Sequence, residues 1–262
     1  MPLFALDMDG TCLNDAGQLA PHTLKALAQA RGAGWRICFV TGRTGVDMAS
    51  FEYDREVADY LLLNSGGKLV ESPTGKVLWN RCVPEPDARA LVAHCAQSGW
   101  PLYCIAGAEV WLNIVSQSAA DYLAAMGVTP RCFTSAAQVP CHRIEAFMAT
   151  THAEQVIEYM ARAGLDTSWA WSEPGCIDIT AGGVTKESGL AALLAQLGMD
   201  AADLVAMGNY DNDIGMLKMA KVGVAVKNAP AKVRAAADHV TTADNNGPAV
   251  PEVVERFILG NR

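Results

Sequence analysis

Residues 3–11 read LFALDMDGT, so four apolar residues are followed at once by an Asp-x-Asp pair, a glycine and a threonine. A short apolar run that leads directly into polar residues is typical of a buried parallel strand. In an open sheet of parallel strands, ligands bind in the crevice beyond the carboxyl ends of the strands. We therefore expect Asp7 and Asp9 to lie at a binding site.

Further apolar runs have the same character, and each leads into polar or Gly-rich residues: 37–40, 60–63, 204–207 and 222–226. Between the first two runs of the chain, apolar residues from Leu24 to Ala28 recur at helical spacing, and Gly32 and Gly34 follow them. After Lys186, leucines continue a helical period up to Gly198. These patterns predict an α/β fold with a doubly wound parallel sheet.

The middle of the chain has a different order of elements. A helix precedes two strand-like runs, and then come a helix, a strand, a helix and two more strands. This order predicts an α+β insertion at residues 82–181 within a core formed by residues 1–81 and 182–262. A last helix is expected from Glu252 to Leu259.

The composition limits the kinds of partner. The chain of 262 residues carries a formal net charge of −8 and has a pI near 5.1. Such a charge repels phosphate backbones, so we expect no nucleic-acid partner. A small anionic substrate would need a metal ion or a few well-placed basic side chains to offset the charge of the protein.

Several absences bear on the compartment. The eight cysteines contain no C-x-x-C pair, which favours reduced thiols over a zinc or dithiol site. Neither a leader sequence nor an apolar run of membrane-spanning length is evident. We therefore expect a cytoplasmic protein without membrane contact, and nothing in the sequence indicates its oligomeric state.

Polar groups follow four of the expected strands. These groups are Asp7–Thr11, Thr41–Arg43, Asn64–Gly67 and Gly208–Asp213. Each could be ordinary turn chemistry if taken alone. Because the four follow successive strands of one sheet, we expect them to converge on one site.

Phosphoryl transfer needs these residue types. Asp7 can attack phosphorus, and Asp9 can protonate the leaving oxygen and then deprotonate water. The Thr41 hydroxyl and the Lys186 charge suit phosphate oxygens. The candidate Mg²⁺ ligands are Asp7, Asn209 and Asp213. Further candidates for phosphate or substrate binding are Met8, Gly10, Gly42, Arg43, Asn64 and Asn212.

Four sequence boxes, DMDGT, TGR, GVTK with Lys186, and GNYDND, resemble the motifs of the haloacid dehalogenase superfamily in order and spacing. The insertion resembles the α+β cap of the Cof-type sugar phosphatases. The resemblance implies that Asp7 is the nucleophile and a metal ligand, and that Asp9 is the acid/base and ligates metal through its carbonyl. It also implies that Thr41 and Lys186 bind phosphate and that Asn212 orients the metal site.

The last box departs from the family, in which it usually begins Gly-Asp, because Asn209 stands at the second position. An amide oxygen can still coordinate, but the site has one charge fewer. The implied activity is Mg²⁺-dependent hydrolysis of a small phosphorylated metabolite (a sugar phosphate, a nucleotide or a phosphorylated cofactor) through an aspartyl-phosphate. A phosphosugar mutase and a non-catalytic metabolite-binding regulator stay open as alternatives. We expect Trp111 and Asn113 of the insertion to influence the choice of substrate.

Overall fold

The computed structural model describes residues 1–51 and 55–260, and within them the strands form an eight-stranded and a six-stranded sheet. The strands are β1 (Leu3–Leu6), β2 (Arg36–Val40), β3 (Tyr60–Leu63), β4 (Lys68–Glu71), β5 (Lys76–Asn80), β6 (Tyr103–Ala106), β7 (Glu109–Leu112), β8 (Arg131–Cys132), β9 (Ala146–Ala149), β10 (Thr167–Glu173), β11 (Cys176–Ala181), β12 (Leu204–Gly208), β13 (Val222–Ala225) and β14 (His239–Val240).

Helices connect most of these strands. They are α1 (Pro21–Gly32), α2 (Gly45–Ser50), α3 (Glu85–Ser98), α4 (Gln117–Ala125), α5 (Ala153–Ala163), α6 (Lys186–Leu197), α7 (Ile214–Met219), α8 (Ala231–Ala236) and α9 (Ala249–Val253). The last helix begins at Ala249, three residues before the predicted Glu252, and wider helical turns extend it over Val254–Leu259. None of the helices in the described part of the chain is long and apolar enough to cross a membrane.

The eight-stranded sheet has the order β14-β13-β12-β1-β2-β3-β4-β5. Strand β1 pairs in parallel with β2 on one side and with β12 on the other. The chain therefore moves outward from β1 in one direction first and in the opposite direction after the insertion. The point between β1 and β12 is the topological switch point, where a crevice opens beyond the strand ends.

Helices cover both faces of this sheet, as the doubly wound prediction requires. Alternate residues of β1 point to opposite faces, because side chains alternate along a strand. Phe4 and Leu6 lie in a buried cluster with residues of α1 and α9. Leu3 and Ala5 lie in a second cluster with leucines of α6. The predicted fold class is confirmed.

One edge of the sheet differs from the prediction of parallel strands. Strand β4 pairs with β3, and β5 pairs with β4, in the antiparallel sense. Only four residues, 64–67, join β3 to β4, and this is too short for the crossover that a parallel pair needs. Asn64 and Ser65 take the tight turn with positive φ values of 52° and 53°. The polar run after β3 thus reverses the chain within the sheet.

The six-stranded sheet has the order β10-β11-β9-β6-β7-β8 and is antiparallel except for the β7–β8 pair. All of its strands lie between residues 103 and 181. One buried cluster of this sheet draws only on residues from Val83 to Ile179, whereas a second joins residues of β6 and β7 with Val46 of α2. The order of helices and strands follows the α+β pattern expected for the insertion. The boundaries at 82 and 181 stay a prediction.

Candidate active site

Asp7, Lys186 and Asp213 form a buried charged group at the switch point. Asp7 follows β1, and its backbone N–H donates to the carbonyl of Met207 on β12 at 2.9 Å. Lys186 is the first residue of α6, and its Nζ donates to Asp7 Oδ1 at 2.6 Å and to Asp213 Oδ1 at 2.7 Å. All three side chains are buried. The first, third and fourth boxes of the sequence therefore meet at one lysine.

The second oxygen of Asp213 holds the loop that follows β12. Asp213 Oδ2 accepts from the backbone N–H groups of Asn209 at 2.8 Å and Tyr210 at 2.9 Å. A side chain at Gly208 would collide with the Asp213 carboxylate, so the glycine permits this close approach. Because both carboxylate oxygens already accept hydrogen bonds, Asp213 is suited to placing Lys186 and the Asn209 backbone. Its predicted role as a direct metal ligand stays a prediction.

The charges of this group shift its protonation. Burial and, to a smaller extent, the nearby Asp213 raise the pKa of Asp7 from 3.8 to about 7, although Lys186 acts in the opposite direction. Burial alone would lower the pKa of Lys186, but Asp213 and Asp7 hold it above its ordinary value. Lys186 therefore stays protonated. With both carboxylates ionised, one negative charge is left over at the buried end of the site.

The turn after β1 brings Asn209 against the backbone of the first box. Gly10 has a φ of 71°, and an added Cβ would collide with the side-chain amide of Asn209. With its amide nitrogen turned inward, Asn209 donates to Thr11 Oγ1 at 2.9 Å, to the Asp9 carbonyl at 3.0 Å and to Asp7 Oδ2 at 3.1 Å. In the opposite amide orientation, Asn209 Oδ1 points inward and accepts from Thr11 Oγ1. The Asp9 carbonyl and Asp7 Oδ2 then face an oxygen and receive no hydrogen bond from Asn209.

This arrangement fits a small hard cation. In the second orientation, Asp7 Oδ2 and the Asp9 carbonyl face Asn209 Oδ1 with no hydrogen between these oxygens, although the Thr11 hydroxyl donates to Asn209 Oδ1. One carboxylate, one carbonyl and one amide oxygen are ligands that Mg²⁺ accepts. In residues 1–51 and 55–260, no group of three or more His, Cys, Asp or Glu side chains could hold a metal. A cation here would therefore depend on the carbonyl and amide oxygens.

Arg43 of the second box contacts the first. Its guanidinium donates from Nε to Asp9 Oδ2 at 2.8 Å and from Nη2 to Asp9 Oδ1 at 2.7 Å. Thr41 is buried directly after β2, and its hydroxyl oxygen accepts from the backbone N–H of Arg43 at 3.1 Å. Asp9, the predicted general acid/base, is therefore paired with the guanidinium of Arg43.

These residues line a cavity of about 820 Å³ between the strand ends and the insertion. Of the predicted site residues, the following line it: Asp7, Asp9, Thr41, Gly42, Arg43, Asn64, Lys186, Asn209 and Asn212. Buried oxygens of Asn64 and Asn212 have no hydrogen-bond partner within the described residues. The Met8 side chain packs instead in the apolar cluster below the sheet, and Gly10 is not part of the lining. Met8 and Gly10 could therefore bind a phosphate only through their main-chain N–H groups, and this role stays a prediction.

The insertion contributes side chains that sequence reasoning missed. Asp178 of β11 and Tyr122 of α4 line the cavity together with Asp47 of α2. A signal for Asp178 was present, because Ile177 and Ile179 on either side of it are buried in the core of the insertion. A polar residue between two buried ones faces the other side of a strand. Tyr122 and Asp47 had no comparable signal.

The prediction for Trp111 and Asn113 is wrong. Neither residue is among those that line the cavity within the described part of the chain. The Asn113 side chain accepts from the Leu102 N–H at 2.9 Å and donates to the Trp100 carbonyl at 2.8 Å. Asn113 therefore ties the end of β7 to the segment before β6. Trp111 packs against the core of the insertion.

Glu145 connects the insertion to the core. Its buried carboxylate accepts from Lys68 Nζ at 3.0 Å, from Asn80 Nδ2 at 2.8 Å and from Asn64 Nδ2 at 3.3 Å. Donors from β4, from β5 and from the turn between β3 and β4 thus converge on one acceptor from the insertion. This junction holds Asn64 at the rim of the cavity.

Comparison with known proteins gives the family. A family model for haloacid dehalogenase-like hydrolases matches residues 4–254. The chain belongs to this family. The resemblance inferred from the four boxes is therefore confirmed, and with it the prediction of a hydrolase.

Bacterial relatives within the family are similar over nearly the whole chain. The 5-amino-6-(5-phospho-D-ribitylamino)uracil phosphatase YcsE of Bacillus subtilis (strain 168) is 27% identical, over 98% of this chain and 96% of the relative. The pyridoxal phosphate phosphatase YbhA of Escherichia coli (strain K12) is also 27% identical, over 98% of both chains. These relatives support a phosphoric monoester hydrolase.

Solved structures of haloacid dehalogenase-like hydrolases share the fold. One from Bacteroides thetaiotaomicron superposes with a TM-score of 0.83 at 24% identity, over 98% of this chain and 99% of the other. The subclass IIB sugar phosphatase BT4131 superposes with a TM-score of 0.84 at 22% identity, over the same shares. At these identities the likeness shows the fold.

Proposed function

We propose that the chain is a Mg²⁺-dependent phosphatase that hydrolyses small phosphate monoesters through an aspartyl-phosphate on Asp7. The observation that carries the proposal is the position of the Asp7 carboxylate. It is buried at the switch point, one of its oxygens accepts from Lys186, and the side chain lines a cavity. A carboxylate nucleophile beside a fixed positive charge suits attack on a phosphate ester.

In the first step, an oxygen of Asp7 forms a bond to phosphorus, and the bond between phosphorus and the ester oxygen breaks. Asp9 gives its proton to the leaving oxygen, which departs as an alcohol. In the second step, water attacks the phosphorus while Asp9 takes up a proton, and the Asp7 carboxylate is released with free phosphate. Thr41 and Lys186 hold phosphate oxygens during both steps.

The cation would be held by Asp7, the Asp9 carbonyl and Asn209, the three groups that meet beside the turn after β1. When bound, Mg²⁺ offsets the negative charge of the phosphate and of the surrounding carboxylates. Asp213 supports this site through Lys186 and the backbone of residues 209 and 210. Asn212 lines the cavity next to them.

The test is phosphate release from a panel of phosphate monoesters with and without Mg²⁺. We expect metal-dependent turnover by the parent protein and none by Asp7→Asn. A phosphoenzyme should be recovered after acid quench from the parent and not from this variant. The matched control is Asp211→Asn, because Asp211 lies in the same loop as Asp213 but is exposed and contacts Lys232. Normal turnover by Asp7→Asn, or loss in the control alone, would refute the mechanism.

The two bacterial relatives are named for different phosphate esters. We therefore propose the class of substrate, small phosphorylated metabolites, and not one compound. A cytoplasmic location and the absence of a nucleic-acid partner belong to the same proposal.

A further inference from the structure

The turn at residues 64–67, which joins β3 to β4, has an unfavourable main-chain conformation. Asn64, Ser65 and Gly66 have positive φ values of 52°, 53° and 106° in succession. Asparagine and glycine tolerate this region, but a serine in it is strained. Such a conformation persists only where the surrounding structure holds it, and it often occurs at functional sites. The contacts of this turn therefore bear on function.

The main chain of the turn is bonded to the second box. The Asn64 N–H donates to the Arg43 carbonyl at 3.0 Å, and the Ser65 N–H donates to the Thr41 carbonyl at 3.0 Å. Thr41 is one of the two proposed phosphate-binding residues. The turn and the Thr41 side chain thus depend on the same stretch of main chain.

The turn also packs against the third box. A Cβ added at Gly66 would lie 2.3 Å from the Thr185 carbonyl oxygen, and one added at Gly189 would lie 2.6 Å from the Gly66 Cα. The turn and the start of α6 therefore touch main chain to main chain. Thr185 caps α6, and Lys186 is the first residue of this helix. A shift of the turn would displace the main chain that carries Lys186.

The side chain of Asn64 is held from the insertion. Its Nδ2 donates to Glu145 Oε2 at 3.3 Å, and its Oδ1 has no hydrogen-bond partner among the described residues. The Glu145 carboxylate is buried and also accepts from Lys68 and Asn80, so its position is well defined. The Glu145 N–H donates to the Ile105 carbonyl at 2.9 Å, which anchors the residue beside β6.

We propose that Glu145 is a positioning residue for phosphoryl transfer, although it is not among the described residues that line the cavity. Glu145 fixes Asn64, which fixes the strained turn at 64–67, and the turn supports Thr41 and Lys186. The inference rests on the proposed phosphatase function and deepens it, because the insertion then helps to place the phosphate-binding groups. Such groups act most strongly in the transition state, so their displacement should lower kcat.

The test is steady-state phosphate release by Glu145→Gln from p-nitrophenyl phosphate, glucose 6-phosphate and pyridoxal phosphate with Mg²⁺. The glutamine keeps the shape, but its amide nitrogen cannot accept from Lys68 or Asn64. We expect kcat to fall at least fivefold for every ester that the parent hydrolyses, with KM changed less than twofold. The ratios of kcat/KM among the esters should stay constant, because all esters share the phosphate. Each kcat is calculated per orthovanadate-binding site found by calorimetry, so that unfolded protein does not contribute.

A double-variant cycle with Asn64→Gly tests whether Glu145 acts through the turn. Glycine removes the side-chain amide and tolerates a positive φ. Glu145→Gln/Asn64→Gly should have a kcat within twofold of the lower of the two single variants. Losses that multiply, or a parental kcat in Asn64→Gly, would overturn the inference. Glu145→Asp keeps the charge beside Lys68 and withdraws the carboxylate from Asn64. It should lose at least threefold in kcat, and it replaces Glu145→Gln in the cycle if the latter does not fold.

The matched control is Glu109→Gln, because Glu109 is also a carboxylate of the insertion but pairs with Arg131 and Arg143 of the same unit. Its kcat should equal that of the parent. Orthovanadate resembles the transferring phosphate in the transition state, and its binding requires no turnover. If the parent hydrolyses no ester but Glu145→Gln binds orthovanadate at least fivefold more weakly than the parent and the control, the phosphatase proposal fails and the positioning inference stands. Parental kcat and orthovanadate affinity in Glu145→Gln, or no orthovanadate binding by the parent, overturn the inference.

Discussion

Arg43 binds the carboxylate of Asp9 through two parallel hydrogen bonds of 2.7 and 2.8 Å. The same guanidinium lies 5.2 Å from the centre of the Phe51 ring. Both oxygens of the Asp9 carboxylate accept from this guanidinium, so Asp9 cannot reach the leaving oxygen of an ester until the pair separates. The entering phosphate is the natural competitor for the guanidinium, so substrate binding and release of Asp9 are coupled.

Arg43→Gln tests this coupling. If the guanidinium passes from Asp9 to the phosphate as proposed, the variant loses a charged contact with the substrate, and charged hydrogen bonds contribute roughly 1.5–3 kcal/mol each. We expect kcat/KM to fall by about tenfold to a hundredfold, mainly through a higher KM. The measurement is steady-state phosphate release. Arg31→Gln is the control, since Arg31 pairs with Asp59 away from the cavity, and equal effects of the two variants would refute the coupling.

Asn209→Asp should make the protein depend on metal for stability. In the parent, the amide nitrogen can donate to Asp7 Oδ2 and the Asp9 carbonyl when no cation is present. An aspartate offers no donor and adds a negative charge beside Asp7. We expect a melting temperature lower than that of the parent by several degrees in chelator and a larger rise with Mg²⁺. The Mg²⁺ concentration for half-maximal activity should fall, with kcat changed little.

The control for this variant is Asn14→Asp. Asn14 accepts from the backbone N–H groups of residues 16 and 18 in a turn, and an aspartate can accept in the same way. The added charge should have little effect on thermal unfolding in chelator or in Mg²⁺. If Asn209→Asp is as stable as the parent in chelator, or needs more Mg²⁺ for activity, the inferred position of the cation is wrong.

The buried Asp7 predicts how the stability of the metal-free protein depends on pH. Its pKa is about 7 in the folded protein and ordinarily 3.8, so the folded state binds the proton more tightly. The free energy of unfolding should therefore decrease as the pH rises through this interval, and Asp7→Asn removes this decrease. We expect the stability of the variant relative to the parent to grow between about pH 4 and pH 7 and to level off above it.

The measurement is thermal unfolding in chelator at a series of pH values. Asp211→Asn serves as the control, because the Asp211 carboxylate is exposed and forms an ion pair with Lys232. The melting temperature of Asp211→Asn should differ little from that of the parent at every pH. A stability difference for Asp7→Asn that does not change with pH would contradict the proposed burial effect.

Gly10 and Gly17 form a matched pair. Both have a φ of 71°, but an added Cβ meets the Asn209 amide at Gly10 and nothing within 4 Å at Gly17. Alanine at either position should cost about 1–2 kcal/mol from backbone strain alone. Only Gly10→Ala should also lose at least tenfold in kcat/KM, because Asn209 must move. Equal activities in the two variants would show that the contact is unimportant.

The sequence predicted those features that depend on neighbouring residues. An apolar run followed by polar residues marks both a buried strand and the end at which its side chains can line a crevice, and residues of the first, second and fourth boxes do line the cavity. Asp178 and Tyr122 lie in the cavity only because of the way the insertion packs over the sheet. That packing arises from contacts between distant residues, which strand periodicity does not report.

Residue type alone also misled the assignment of one side chain. Asn113 is polar and lies two residues after Trp111, a pattern that suggested a ligand contact. Its side chain instead satisfies main-chain groups next to it. A polar side chain in a turn is often used for this purpose. The distinction requires the coordinates of both partners.

The position of β1 between β2 and β12 has a consequence during protein synthesis. Residues 36–40 pair with one edge of β1 early, but the other edge must wait for residues 204–208 of the 262-residue chain. Until then, an apolar strand edge can pair with other chains. The insertion consists of contiguous residues and can fold in the meantime. We expect stalled ribosome-bound chains that expose residues up to 181 to show a protease-resistant insertion and a protease-sensitive segment before residue 80, and resistance of that segment at this length would contradict the expectation.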